Sequence, residues 1–248
     1  MMSATPYITN WRDPKPYINH ESAIVWSILL GEQGAHSKPN ECMQHIKGFA
    51  KHSLQGRKNS DYHAHEDMEQ FYYILSGEGE VLIGDEKHYV SEGSVAYFPP
   101  NVSHQMFAED YDSWMEHLIV SCPARRSGSE ACVFNWRDVT PQTGIHGGVI
   151  SWALLGSVDG DGPPPQSACL LGFKWLTLQR LIRGKASDYH VHEDFEQIYF
   201  VLEGRGSMLI DGAIHSLAEG DTVQIAPGLR HQIMNDDCNG WLSYLVIS

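Results

Sequence analysis

The amino-acid sequence predicts an all-β chain built as two tandem antiparallel barrels, and three observations carry that reading. An eleven-residue stretch from Ser60 to Gln70, SDYHAHEDMEQ, returns from Ser187 to Gln197 as SDYHVHEDFEQ with two positions changed. Glycine-bearing turns at Ser76 to Glu80, Gly84-Asp85 and Glu92-Gly93 separate short apolar runs at the roughly 8–12-residue spacing of antiparallel sandwiches and barrels. No long stretch shows the helical period of about 3.6 residues.

The repeat extends well beyond that stretch. Asn10-Trp11-Arg12-Asp13, with Pro16 after it, matches Asn135-Trp136-Arg137-Asp138 with Pro141 at an offset of 125, and ILLG at 28–31 aligns with ALLG at 153–156. Both four-residue segments read as short buried strands closed by glycine. Two unlike surface loops follow, GEQGAHSKPNEC and GSVDGDGPPPQSAC, and the prolines of the second, Pro163 to Pro165, are expected either to shape the mouth of a site or, equally, to form a solvated loop. From there the offset is 127: His63 pairs with His190, His65 with His192, Gln70 with Gln197, Gly77 with Gly204, Gly93 with Gly220 and His104 with His231. The Asp211-Gly212 step marks a hairpin. The closing strands, 114–121 and 241–248, also pair, whereas residues 122–134 have no counterpart. The expected organisation is therefore a first barrel over 1–121, a linker over 122–134 and a second barrel over 135–248.

Composition narrows the partners. Across 248 residues, 17 Lys plus Arg stand against 31 Asp plus Glu, a formal charge of -14, which argues against nucleic acid or an anionic membrane surface. The N-terminus lacks the basic and apolar regions of an export signal, and the apolar runs are too short to span a bilayer. A cytoplasmic protein acting on a small molecule is expected. The five cysteines are odd in number and form no CxxC, and only Cys42 and Cys169 fall at matching positions, so free thiols are expected over a disulfide framework.

The repeated stretch carries metal-ligand chemistry. In an extended strand, side chains two apart share a face, so His63 and His65 point the same way, as do His190 and His192. Of the adjacent pairs Glu69-Gln70 and Glu196-Gln197, only one member of each points inward with them. His104 and His231 each follow a proline-bearing turn that sets where the next strand starts. Three imidazoles with one oxygen donor suit Fe, Mn, Ni, Co or Zn better than Mg or Ca, one ion per barrel.

The pattern resembles the cupin superfamily, whose barrels are of jelly-roll type. Its first motif runs from a glycine through His-X-His and a carboxylate to a second glycine, and its second runs from a glycine through proline and glycine to a histidine and an asparagine. Gly184, His190, His192 and Gly204 fit the first motif, and Gly220, Gly228, His231 and Asn235 fit the second. In the first unit His63, His65, Gly77, Gly93, Pro99 and His104 fit; Asn101 replaces the second motif's inner glycine, which asparagine tolerates because it too accepts a left-handed backbone. Ala108 stands where the motif asparagine is usual. The motif's glutamate spacing falls on Gln70 and Gln197, with Glu69 and Glu196 as the alternative if the spacing relaxes by one. The resemblance implies a double-cupin with metal ligands His63, His65, Gln70 and His104 in one barrel and His190, His192, Gln197 and His231 in the other. It also implies a homodimer as the common assembly.

A neutral donor set leaves the full charge of the ion available to an anionic oxygen. That favours Lewis-acid chemistry on a small oxygen-rich acid, an isomerisation or elimination through an enolate-like intermediate. The alternatives are an iron- or nickel-dependent dioxygenase and a binding cupin without catalysis; a decarboxylase like the oxalate enzymes fits less well, since those have glutamate as the fourth ligand. Tyr72 and Tyr199 share the inward parity of the glutamines and are the candidate proton donors, although lining the core explains them too. Tyr62 and Tyr189 point outward toward packing. His20, His36, His45, His52, His117 and His146 lack repeat partners and are expected to be structural or solvated, and His88 and His215 solvated.

Overall fold

The computed structural model describes residues 6–31, 38–108, 112–124, 128–160, 165–236 and 240–248; His36, Cys238, Pro163 and Pro164 lie outside them. The apolar runs form two large sheets, antiparallel but for one short parallel strand in each, and two small antiparallel sheets. One eight-stranded sheet has the order Cys132–Asn135, Ser94–Phe98, Met68–Ser76, Met115–Pro123, Gly48–Leu54, Ala23–Gly31 and Tyr17–Asn19, with Glu41–Met43 parallel to Ala23–Gly31. Across a core containing Tyr72, Ile74, Phe98, Val81 and Met106 it faces a three-stranded sheet of His104–Phe107, Glu78–Ile83 and Glu86–Ser91. The second unit repeats the arrangement. Its large sheet runs Tyr7–Asn10, Asp221–Ile225, Gln197–Glu203, Trp241–Ile247, Trp175–Ile182, Ile150–Ser157 and Gln142–Thr143, with Ser167–Leu170 alongside. Its small sheet is Ala213–Ala218, Arg205–Ile210 and His231–Met234. The Asp211-Gly212 hairpin has positive φ at both residues, 45° and 85°, the backbone that lets a two-residue turn follow the strand twist. Among the described residues no helix is long and apolar enough to cross a membrane, and Cys42, Cys122, Cys132 and Cys169 form no disulfide.

The sheets depart from the boundaries expected from the repeat. Tyr7–Asn10 pairs with Asp221–Ile225 of the second unit, and Cys132–Asn135, expected for the most part in the linker, pairs with Ser94–Phe98 of the first. Pro123 already belongs to a first-unit strand. Each unit thus contributes a strand to the other, covering an edge that would otherwise offer unpaired backbone groups. The shared Asn-Trp-Arg-Asp segments fasten these strands. Trp11 N–H donates to the Gly220 carbonyl at 3.1 Å and Trp136 N–H to the Gly93 carbonyl at 3.1 Å. A Cβ on Gly220 or Gly93 would meet the indole ring, at 2.6 or 2.4 Å, and both glycines have φ of +85°.

The large sheets are buried on both faces, which is why their strands read as continuous apolar runs rather than alternating ones. Tyr72 and Ile74 point into the first barrel, while Phe71 and Tyr73 join a core shared by both units. Phe49 meets Phe200 at 5.7 Å and Phe71 meets Phe173 at 5.1 Å across it.

Two buried carboxylates fix the register of the units. Glu69 accepts the backbone N–H groups of Leu171, Gly172 and Phe173 at 2.8, 2.6 and 2.8 Å, and the Tyr97 hydroxyl at 2.7 Å. Glu196 reciprocates, accepting the N–H groups of Gln44, His45 and Ile46 at 2.9, 2.7 and 2.9 Å. Each carboxylate satisfies buried donors of the opposite unit that no strand partner reaches. Glu69→Gln or Glu196→Gln places an amide N–H against those donors, and each should lower stability by about 2–3 kcal/mol, read as a drop in the urea midpoint.

Candidate metal centres

In each unit the small sheet and the incoming loop bring three imidazoles together. His63 and His104 exchange backbone hydrogen bonds at 3.2 and 2.9 Å, and His190 and His231 do so at 3.1 and 2.8 Å. The second histidine is fixed by the turn before the third. Asn101, at φ 65°, donates its N–H to the His65 carbonyl at 2.7 Å, and Gly228, at φ 83°, donates to the His192 carbonyl at 2.8 Å. Asparagine thus adopts the left-handed conformation at the position where the second unit has glycine. Ligand atoms of His63, His65 and His104 lie within 4.8 Å of one another, as do those of His190, His192 and His231.

The Nδ1 atoms are already engaged. His63, His104, His190 and His231 direct Nδ1 at the carbonyls of Asp61, Val102, Asp188 and Leu229, at 3.2, 3.0, 3.0 and 2.9 Å. An Nδ1–H donated in this way leaves each Nε2 lone pair for a cation. Nε2 of His65, His104 and His231, and Oε1 of Gln70, are buried without a hydrogen-bond partner, and Nε2 of His190 and His192 stand 3.1 Å apart. Buried, mutually facing acceptors of this kind fit a divalent cation. Burial, above all, holds His104, His192 and His231 down to about 4, so all three are neutral, as ligation needs, at neutral pH.

The glutamates and glutamines divide as strand parity demands. Glu69 and Glu196 turn to the opposite unit, whereas Gln70 and Gln197 are buried on the barrel side. The Tyr199 hydroxyl donates to Gln197 Oε1 at 3.3 Å. Tyr72 and Tyr199 are 3% and 5% exposed and stand edge-on to His104 and His231; burial raises both hydroxyls above the ordinary tyrosine range. Tyr62 and Tyr189, expected to pack, are instead exposed.

The two barrels differ beyond the triads. The second holds a cavity of about 460 Å³ lined by His190, His192, Gln197, Tyr199, Ser151, Thr177 and Gln179, with Lys174, Trp175, Asp159 and Pro165 also on its wall. The matching space beside His63 measures about 10 Å³. In the second unit Ser151, Gln179 and Tyr244 are neighbours across three strands, and in the first the same row is Val25, His52 and His117. His52 lies 5.5 Å from both His20 and His117, and His20 stacks on His63 at 5.2 Å. His146 stacks on His190 at 5.1 Å, the place His20 takes in the first unit. Histidines without partners in the sequence alignment therefore fill one barrel and border the cavity of the other. The signal was in the sequence, as polar residues at inward strand positions that differ between the repeats: His52 against Gln179 and His117 against Tyr244.

His117, 2% exposed, is pushed down to about 3 by burial and then by Lys51. The unfolded chain takes up this proton near pH 6.5 and the folded chain does not, so stability is full above about 6.5 and falls as the pH drops toward 3. His117→Phe should remove on the order of a few kcal/mol of that loss, seen as a flatter dependence of Tm on pH across this window.

Comparison with known proteins follows the same lines. The Cupin_2 family, described as a cupin domain, matches residues 52–116 and 177–247. A putative glyoxylate-induced protein from Pseudomonas aeruginosa superposes with a TM-score of 0.79 at 13% identity, covering 100% of this chain and 90% of that one. A Bacillus subtilis oxalate decarboxylase variant gives 0.71 at 13%, covering 100% and 78%. Vicilin from Corylus avellana gives 0.66 at 11%, covering 97% and 84%. At such identities the likeness is one of fold. An uncharacterized protein of Methanocaldococcus jannaschii, MJ1618, is 40% identical over 52 residues, which are 21% of this chain and 42% of that relative.

Proposed function

Because this chain belongs to the Cupin_2 family of cupin domains, we propose that it is a divalent-metal enzyme whose chemistry takes place in the second barrel, with a closed, structural metal site in the first. The observation that carries this reading is the contrast between two like triads, one beside about 460 Å³ of space and the other beside about 10 Å³. The proposed ligands are His63, His65, Gln70 and His104 in the first barrel and His190, His192, Gln197 and His231 in the second. An Fe, Mn, Ni, Co or Zn ion held there would supply Lewis-acid polarisation of a substrate oxygen.

The chain's own residues supply the rest. Ser151, Thr177 and Gln179 offer neutral hydrogen-bonding groups to a small oxygen-rich acid, while Ala153, Leu155, Ile233 and Val246 receive its carbon frame. Tyr199 stays protonated because burial disfavours its anion, and its hydroxyl, now resting on Gln197, is placed to donate a hydrogen bond to a substrate oxygen as negative charge builds there; giving up the proton outright needs that oxygen to become as basic as the buried phenolate. Tyr72 has the same parity but meets only the small space beside His63, which makes it a packing residue in this reading. The reaction favoured is isomerisation or elimination beside a carbonyl.

Elemental analysis of the protein as isolated tests the sites. His63→Ala and His190→Ala should each lose roughly half the bound transition metal, and metal content unchanged in both would sink the assignment. Turnover on a panel of small hydroxy and keto acids separates the barrels: His190→Ala should abolish it and His63→Ala should retain it. Tyr199→Phe should lower kcat by about a hundredfold or more with a smaller change in KM. Oxygen uptake coupled to turnover would replace this reading with a dioxygenase.

A further inference from the structure

A second cavity, of about 390 Å³, lies between the units and shares no lining residue with the second-barrel cavity. Two matched aromatic steps flank it. Trp11 meets Trp26 edge-on at 5.3 Å, with the Lys51 ammonium 4.0 and 4.7 Å from the two rings. Trp136 meets Trp152 at 5.4 Å, with the Arg180 guanidinium 4.9 and 5.8 Å from them.

The two halves are matched in shape and unmatched in charge. In the first unit Ser53, Glu116 and Ser76 are neighbours across three strands, and Lys51 pairs with Glu116. In the second unit the same row reads Arg180, Ser243 and Glu203. Among the described residues Arg180 and Glu203 form no ion pair, with each other or with any other group. Arg180 Nε is buried without a partner. Tyr73, also on the cavity wall, is 4% exposed, and its hydroxyl, beside Arg137 and Arg180, has no hydrogen-bond partner among the described residues. On this wall Arg180 has a buried, unsatisfied Nε and no ion pair, and the exposed Glu203 carboxylate accepts only the Ser243 hydroxyl at 3.4 Å; with the buried Tyr73 hydroxyl on the same cavity they suit a ligand that carries both charges.

We propose that this cavity binds a small zwitterion of the α-amino-acid type, its carboxylate on Arg180 and the Tyr73 hydroxyl and its ammonium on Glu203. Of the carboxylates on these walls Glu92, Glu116 and Glu219 are paired with Arg137, Lys51 and Arg12; a simple anion on Arg180 would leave the Glu203 charge uncompensated, and a simple cation on Glu203 would leave Arg180 without an ion pair. The indoles of Trp11 and Trp136 supply apolar walls for the ligand's carbon side chain.

Calorimetric titration of the intact, metal-containing protein tests this, with L-alanine and L-leucine as probes against acetate and methylammonium. Saturable binding of the amino acids is expected, about tenfold or more tighter than either single-charge probe. Arg180→Met, Glu203→Gln and Tyr73→Phe should each weaken it by about tenfold, and the last two preserve side-chain shape. His190→Ala should leave it unchanged, which separates this site from the metal centre. No saturable heat with either amino acid, affinity unchanged in all three cavity variants, or loss of binding in His190→Ala would each overturn the proposal.

Discussion

The two buried carboxylates, Glu69 and Glu196, are the constraint on which the rest of the molecule depends. Each takes three backbone N–H groups from the opposite unit, an arrangement that a neutral side chain, with one acceptor oxygen in place of two, cannot reproduce there. Because neighbouring residues of a strand face opposite ways, committing the glutamate to the interface commits the following glutamine to the barrel. The clasp between units and the polarity of the metal centres are thus two faces of one dipeptide.

The exchanged strands act in the same direction. Tyr7–Asn10 closes the second large sheet and Cys132–Asn135 the first, so neither barrel has its full set of strands without the other. The tryptophans that follow these strands sit over the glycines of the opposite turns and wall the cavity between the units. Unit pairing, edge protection and the shape of that cavity come from the same short repeated segment.

Duplication has left the triads alike while the barrels around them have diverged. A row of strand-facing residues reads Val25, His52, His117 in one copy and Ser151, Gln179, Tyr244 in the other. Together with His20, the first row fills the space beside His63, whereas the second borders an open cavity. Burial keeps the His52 and His117 imidazoles from charging, which suits a closed site, and amide and hydroxyl groups beside an open one suit orientation of a polar ligand.

The sequence by itself determined the all-β class, the two-fold repeat, the histidine triads and the turns that place them, because these rest on local rules: period-two alternation, glycine or asparagine at left-handed positions, and spacing between like motifs. Parity stated that only one of Glu69 and Gln70 faces inward, but not which one. The tertiary structure decided that, since the choice depends on backbone donors more than a hundred residues away, around Leu171 to Phe173. It also decided that the first strand of each repeat crosses to the other unit, and that one barrel is filled and the other open. Strand pairing partners and cavity volume are sums over contacts distant in the chain, and no window of sequence contains them.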